Sequence, residues 1–291
     1  FTINSLDSAP HRAQVRRSLT LGAGRMATQA FGEEQRALSV GKAFSRGFDA
    51  IRAYPLQTLG PIFVLTVVPG LLFQTLGVNA LMAAAARGTA PPPVGLIIIG
   101  GILLSLLWGT ALGAVIQATL AYAEGRKPEL GEMLRAAVAR CVPLVIVYLL
   151  YTLAIMFGFL LFIVPGIFIA TMWSMAMVAV VAERPGVFGA FGRSARLTKG
   201  ARWKILGVFV AMFVIYIIVL SFAGLTGAAS TMSLASLQAA PQASVGIGQI
   251  IIALINALLT TWMAAMFTSL FIELREWKEG PDTSRLSDIF A

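Results

Sequence analysis

Of the chain's 291 residues, 58% are hydrophobic and 12% charged, about half the roughly 25% charged residues of an ordinary soluble domain. Cys141 and His11 are the only cysteine and histidine, so no disulfide forms within one chain, and the Cys and His ligands of a typical zinc or iron–sulfur site are missing. A mean hydropathy of +0.83, with apolar runs longer than the roughly 18 residues a bilayer crossing requires, excludes a soluble globular protein and predicts an all-α polytopic membrane protein.

Residues 1–36 read as a polar cytoplasmic tail. No apolar h-region follows Phe1, so no secretory signal is expected and the first span directs insertion. Next, Ala37, Val40, Phe44, Gly47, Phe48 and Ile51 recur at helical spacing opposite Arg36, Lys42, Arg46, Asp49 and Arg52, the pattern of an amphipathic interfacial helix. The membrane domain, 37–272, holds six apolar segments at about 56–82, 94–123, 142–164, 166–182, 204–225 and 246–272, each necessarily helical because lipid offers no partner for exposed backbone groups. Pro61 and Pro69-Gly70 predict a kink or an interruption in the first span. Ala90-Pro91-Pro92-Pro93 separates the first span from the second, and Arg126-Lys127-Pro128 closes the second.

A second amphipathic segment precedes span three, where Leu130, Met133, Leu134, Ala137, Val138 and Cys141 oppose Glu132, Arg135 and Arg140. Spans three and four meet at Val164-Pro165-Gly166, read as a tight hairpin because one helix over both runs would be about 60 Å long, twice the hydrocarbon core. A third segment precedes span five, with Phe188 and Phe191 as apolar anchors and Arg193, Arg196 and Lys199 as a basic stripe. Residues 273–291 are a C-terminal cytoplasmic tail.

Charge sets the expected orientation. All 22 Lys and Arg residues except Arg87, and all 13 acidic residues, fall on one side of a six-span arrangement. The positive-inside rule makes that side the cytoplasm, with both termini in it. The net charge of +9 then implies anionic lipid head groups as partners rather than nucleic acid, and the candidate contacts are Arg46, Arg52, Arg193, Arg196, Lys199, Arg202 and Lys204. Capping of the cytoplasmic rim by these helices is the alternative.

Within the spans, Gly101, Ser105, Gly109, Gly113 and Gln117 recur every four residues in span two, a small-residue packing seam at which Gln117 hydrogen-bonds across to a neighbour in the same chain or in a second protomer. Trp108, Trp173 and Trp262 lie near mid-span and face protein or a cavity. Tyr148, Tyr151, Trp173, Ser174, Tyr216, Asn256 and Thr260 are candidate linings of a cavity between spans three to six, although each hydroxyl can instead bond a helix carbonyl one turn away. No Asp, Glu, Lys, Arg or His lies inside a span, which argues against proton-coupled transport and voltage sensing. The chain contains no HExxH, GxSxG or GxxxxGK[ST] motif, and Glu129 and Glu132 read as charges favouring a helix N-terminus. No enzymatic activity and no cofactor are expected.

Several stretches together resemble a bacterial inner-membrane family related to the membrane domain of glycerophosphoryl diester phosphodiesterases: Val164-Pro165-Gly166-Ile167-Phe168, Trp173-Ser174-Met175-Ala176, Gly189-Ala190-Phe191-Gly192-Arg193-Ser194, Leu197-Thr198-Lys199-Gly200 and Trp203-Lys204-Ile205-Leu206-Gly207. Leu274-Arg275-Glu276-Trp277-Lys278-Glu279-Gly280, followed by Leu286 to Phe290, is similar to the tail of the same proteins, which often carry Tyr where this chain has Phe271 or Ile272. The resemblance implies six helices, an inner-membrane location and no transferable activity, since the catalytic domain is not in this sequence. The function expected is that of a non-catalytic scaffold or accessory contacting anionic lipid or a protein partner. Transport of a lipid-like amphiphile is the alternative.

Overall fold

The computed structural model describes residues 40–74, 81, 84, 85, 87, 88, 94–231 and 247–280. The tail 1–36, the breaker Ala90-Pro91-Pro92-Pro93 and the segment from Leu286 to Phe290 lie outside the described residues. Among the described residues the elements are helices and no strand occurs. Six stretches are long and apolar enough to cross a membrane: Pro55–Leu72, Val94–Ala123, Cys141–Leu161, Ile163–Ala182, Arg202–Val219 and Gly248–Glu279. The chain is a multi-pass membrane protein.

In chain order, α1 is Val40–Ala53, α2 is Pro55–Leu72 with a π-helical turn at Phe63–Val67, α3 is Val94–Ala123 and α4 is Leu130–Val138. The third and fourth spans follow as α5, Cys141–Leu161, and the pair α6, Ile163–Met172, and α7, Ala176–Ala182. Then come α8, Gly186–Thr198, α9, Arg202–Thr231, and α10, Ile247–Glu279. Helices α3 and α10 pack on each other, with α2 against both, the α5–α6 hairpin beside α3, and α9 against α10 and α6.

Apolar side chains such as Ile98, Ile99 and Ile102 on α3, Met156 and Phe157 on α5, and Phe213 and Ile218 on α9 stay exposed. Water would penalise such a surface, whereas lipid tails cover it at no cost. Burial is concentrated at the end of the bundle that carries the charges: in α3 it runs through most of 109–121, beyond which only Gly100 is buried. Span four is the most enclosed, with 44% of its apolar window buried against 17% for spans three and five.

The turn between spans three and four falls at Phe162, not at Val164-Pro165-Gly166. Phe162 is the single extended residue (φ −165°, ψ 160°) between α5 and α6. Pro165 does not break the chain because it sits in the first turn of α6, where a missing N–H costs little. Gly158 and Gly166 let the two helices touch: a Cβ on Gly158 would lie 2.9 Å from the Gly166 Cα.

Span one is likewise uninterrupted. Its prolines are absorbed by the π-helical turn between Ile62 and Val68, both of which keep right-handed helical geometry.

Helix α1 forms where its periodicity places it, but it contacts protein through a different stripe. Ala43, Gly47 and Ala50 are buried, while Phe48 of the expected apolar face is exposed. Backbone contact with α10 selects the small side chains, since a Cβ on Gly47 would lie 3.2 Å from the Met266 Cα. The Phe44 ring lies 6.0 Å from that of Trp262.

Candidate functional site

Span four is broken at Trp173, Ser174 and Met175, between α6 and α7. A mid-span break exposes backbone groups that a bilayer cannot satisfy. Here α8 satisfies them: the Met175 N–H donates to Ser194 Oγ at 3.1 Å, while Ser194 Oγ and Thr198 Oγ1 donate to the Met172 carbonyl at 2.8 and 3.1 Å. Phe191 stacks on Trp173 at 4.8 Å. Helix α8 buries Ala190, Phe191, Ser194, Leu197 and Thr198. Ser194→Ala leaves the Met175 N–H unpaired, with an expected cost of about 1–3 kcal/mol, readable as a lower thermal midpoint in mild detergent. A midpoint equal to that of the parent protein would show that water replaces the hydroxyl.

The charged end is knitted by ion pairs and a cation–π contact that together draw in three of the seven expected lipid contacts. The Arg193 Nε and Nη2 donate to the Glu183 carboxylate at 2.5 and 2.7 Å, and its Nη2 also reaches Glu279 Oε2 at 2.9 Å. The hydrogen bonds to Glu279 and Glu183 hold the Arg193 guanidinium well above its ordinary pKa, so it stays charged. Arg46 pairs with Glu273 at 3.0 Å. The Arg202 guanidinium sits 4.4 Å over the Phe168 ring. These three cations therefore meet protein rather than an open surface.

The other four expected contacts, Arg52, Arg196, Lys199 and Lys204, remain exposed. Phe188 in the first turn of α8 and Trp203 at the start of α9 are 82% and 85% exposed. Arg140 donates to the Val181 carbonyl. Burial, with a smaller contribution from Arg184, lowers its pKa.

The seam in span two splits. Gly109 and Gly113 pack closely, their added Cβ atoms meeting Val145 Cγ2 at 2.8 Å and Ala137 Cβ at 3.3 Å, and Gln117 Nε2 approaches the Val181 carbonyl at 3.5 Å. Gly101 and Ser105 face outward, and Ser105 Oγ bonds only to Gly101. A row of every fourth residue drifts by about 40° per step on a helix of 3.6 residues per turn, so five positions cannot share one neighbour.

Two cavities lie between the spans. The first, about 250 Å³, is lined from spans two to six by Trp108, Leu112, Tyr151, Ser174, Phe209 and Phe267, among others. The second, about 280 Å³, lies between spans one, two and six against Thr66, Gln74, Trp108, Asn256 and Thr260. No family model, curated protein or solved structure matches the chain.

Of the seven expected lining residues, Tyr151 and Ser174 reach the first cavity, Asn256 the second and Thr260 both. Tyr148, Trp173 and Tyr216 line neither. Tyr148 lies with its ring 4.6 Å from that of Trp108, and Trp173 is taken up by Phe191. Phe209, Phe267 and Thr66 were not expected at a cavity. Their only signal was position inside an apolar run, which every neighbour shared. Tyr151 Oη donates to the Ala170 carbonyl at 3.0 Å and Ser174 Oγ to the Thr171 carbonyl at 2.9 Å. Among the described residues no group of three or more His, Cys, Asp or Glu side chains converges as a metal site would require.

Proposed function

We propose that this chain is a non-catalytic protein of the bacterial inner membrane, both termini cytoplasmic, serving as a scaffold or accessory that holds anionic lipid head groups, or a partner, at its basic face. The observation that carries the reading is the exposed group at the α8–α9 junction. Trp203 projects into the surroundings beside exposed Lys204, with Arg196, Lys199 and Phe188 exposed on the preceding helix. Tryptophan favours the head-group level of a bilayer, and each basic residue near an anionic surface contributes about 1 kcal/mol. Orientation rests on the concentration of Lys and Arg at one end of the bundle. Kinship with the membrane domain of glycerophosphoryl diester phosphodiesterases belongs to the same proposal and draws on the stretch from Val164 to Gly207.

The test replaces Arg196, Lys199 and Lys204 together with Gln. Co-purified anionic phospholipid, quantified by lipid mass spectrometry, is expected to fall by about a hundredfold, the three contributions adding to about 3 kcal/mol. Lipid content equal to that of the parent protein would remove the proposal. A second reading, transport of a lipid-like amphiphile, is favoured by the two neighbouring cavities between the spans.

A further inference from the structure

The two cavities are neighbours. Trp108 and Thr260 line both, and along α10 the lining passes from Ala253, Asn256 and Ala257 on one side of Thr260 to Met263, Ala264 and Phe267 on the other. Helix α3 shows the same order, with Leu112 and Ile116 in the first cavity only and Trp108 in both. The cavities are therefore stacked along the same two helices.

Their chemistry differs. In the first, the Tyr151 and Ser174 hydroxyls are already committed to helix carbonyls, and the rest of the lining away from Thr260 is Trp, Leu, Ile, Met, Val, Ala and Phe. In the second, the Asn256 amide Nδ2 donates to the Ile252 carbonyl at 3.0 Å, while its carboxamide oxygen receives no hydrogen bond from the described residues. The Thr260 hydroxyl, one turn further along α10, makes no hydrogen bond within the described residues either. Both polar groups face the second cavity. Both residues are half-buried, and a ligand that pairs with such groups as it displaces their solvent keeps the hydrogen bonding that a purely apolar ligand would forfeit. The opposite wall is the π-helical turn of span one, where Ile62, Thr66 and Val67 line the cavity. Such turns occur frequently at functional sites.

We propose that the two cavities form one site for a single-chain amphiphile with an uncharged, hydroxyl-bearing head. The head lies in the second cavity, donating to the Asn256 carboxamide oxygen and bonding the Thr260 hydroxyl. The chain passes Trp108 into the first cavity. The head is uncharged because no Asp, Glu, Lys, Arg or His among the described residues lines either cavity, and an ion there would lose its hydration without a counter-charge. Together the cavities reach the size of small-molecule sites, roughly 300–1,000 Å³. This site is independent of the basic face and of any transport step.

The probe is a monoacylglycerol brominated along its chain, a short-range quencher of tryptophan fluorescence, titrated into the full chain in phosphatidylcholine nanodiscs. The absence of anionic lipid separates the outcome from that of the basic face. The expected result is a saturable quenching component that disappears in Trp108→Phe. Its midpoint rises about tenfold or more in the near-isosteric pair Asn256→Leu and Thr260→Val, which removes two hydrogen-bonding groups. Quenching that grows in proportion to the bilayer content of probe without saturating would overturn the site, as would a midpoint unchanged by the Asn256→Leu and Thr260→Val pair. A brominated fatty acid binding equally well in its ionised form would overturn the assignment of an uncharged head.

Discussion

Arg193→Met should lower the unfolding free energy in mild detergent by about 3 kcal/mol. Removing one member of an enclosed ion pair costs about 3–5 kcal/mol, because the remaining charge keeps its desolvation without its partner. The lower end applies here, since the Arg193 and Glu183 side chains retain 15% and 22% exposure and solvent screens part of the loss. The guanidinium lies between Glu183 at the end of α7 and Glu279 at the end of α10, so its loss turns two attractions into one repulsion. Arg193→Lys should restore only part of the stability, since an ammonium cannot make paired contacts to two carboxylates. The gap between Arg193→Met and the parent narrows as pH falls from about 4 downward, since the Arg193 hydrogen bond holds Glu279 below the ordinary carboxylate range and its contribution is lost only as pH passes through that lowered value. Protonated carboxyls neither attract a guanidinium nor repel each other, so the parent loses its stabilisation while the variant loses its repulsion. A parent-like unfolding midpoint at pH 7 for Arg193→Met would show that these contacts carry no net energy.

Gly47→Leu is the second large effect. The backbone of α10 stands 3.2 Å from where a Cβ would be, with Met266 Cα and N as the nearest atoms, and backbone cannot step aside as a flexible side chain can. The expected cost is about 3 kcal/mol, the upper part of the overpacking range, because undocking α1 also separates Arg46 from Glu273. Limited trypsin digestion reads the result directly. Cleavage after Arg46 and Arg52 should accelerate in Gly47→Leu, as it does wherever a helix leaves its packing surface. Unchanged digestion would mean that α1 is not held at this contact. Gly47→Ala should give an intermediate rate.

The six spans were legible because hydropathy over some twenty residues is a local property and lipid demands it. Helices do occupy the segments read from periodicity, α1, α4 and α8, but the stripe that α1 buries differs from the one expected. The break in span four was not. Trp173, Ser174 and Met175 contain neither proline nor glycine, and the hydroxyls that make the break tolerable belong to Ser194 and Thr198 on another helix. Val164-Pro165-Gly166 misled in the opposite sense, because proline interrupts a helix interior but suits a helix start, and sequence alone left both open.

The fate of the cations was equally non-local. Arg193 and Glu279 are 86 residues apart, so the stripe of Arg193, Arg196 and Lys199 read as uniform until Arg193 turned inward. The seam at Gly101, Ser105, Gly109, Gly113 and Gln117 was half legible: small residues mark close approach, but which neighbour approaches depends on how far the helix has rotated. Of the polar residues singled out inside apolar runs, Tyr151, Ser174, Asn256 and Thr260 lie at the cavities. The same criterion admitted Tyr148 and Tyr216, because a tyrosine beside lipid and one beside a void look alike in sequence.

The capping of span four by α8 also bears on biogenesis. The Met172 carbonyl waits for Ser194, 22 residues further along the chain, and then for Thr198. While the nascent polypeptide is still short of that point, the fourth crossing has no internal partner for its severed turn and must borrow water or the insertion machinery. Its final shape is thus acquired only after α8 has emerged from the ribosome, which makes this hairpin and the connector that follows a single step of assembly.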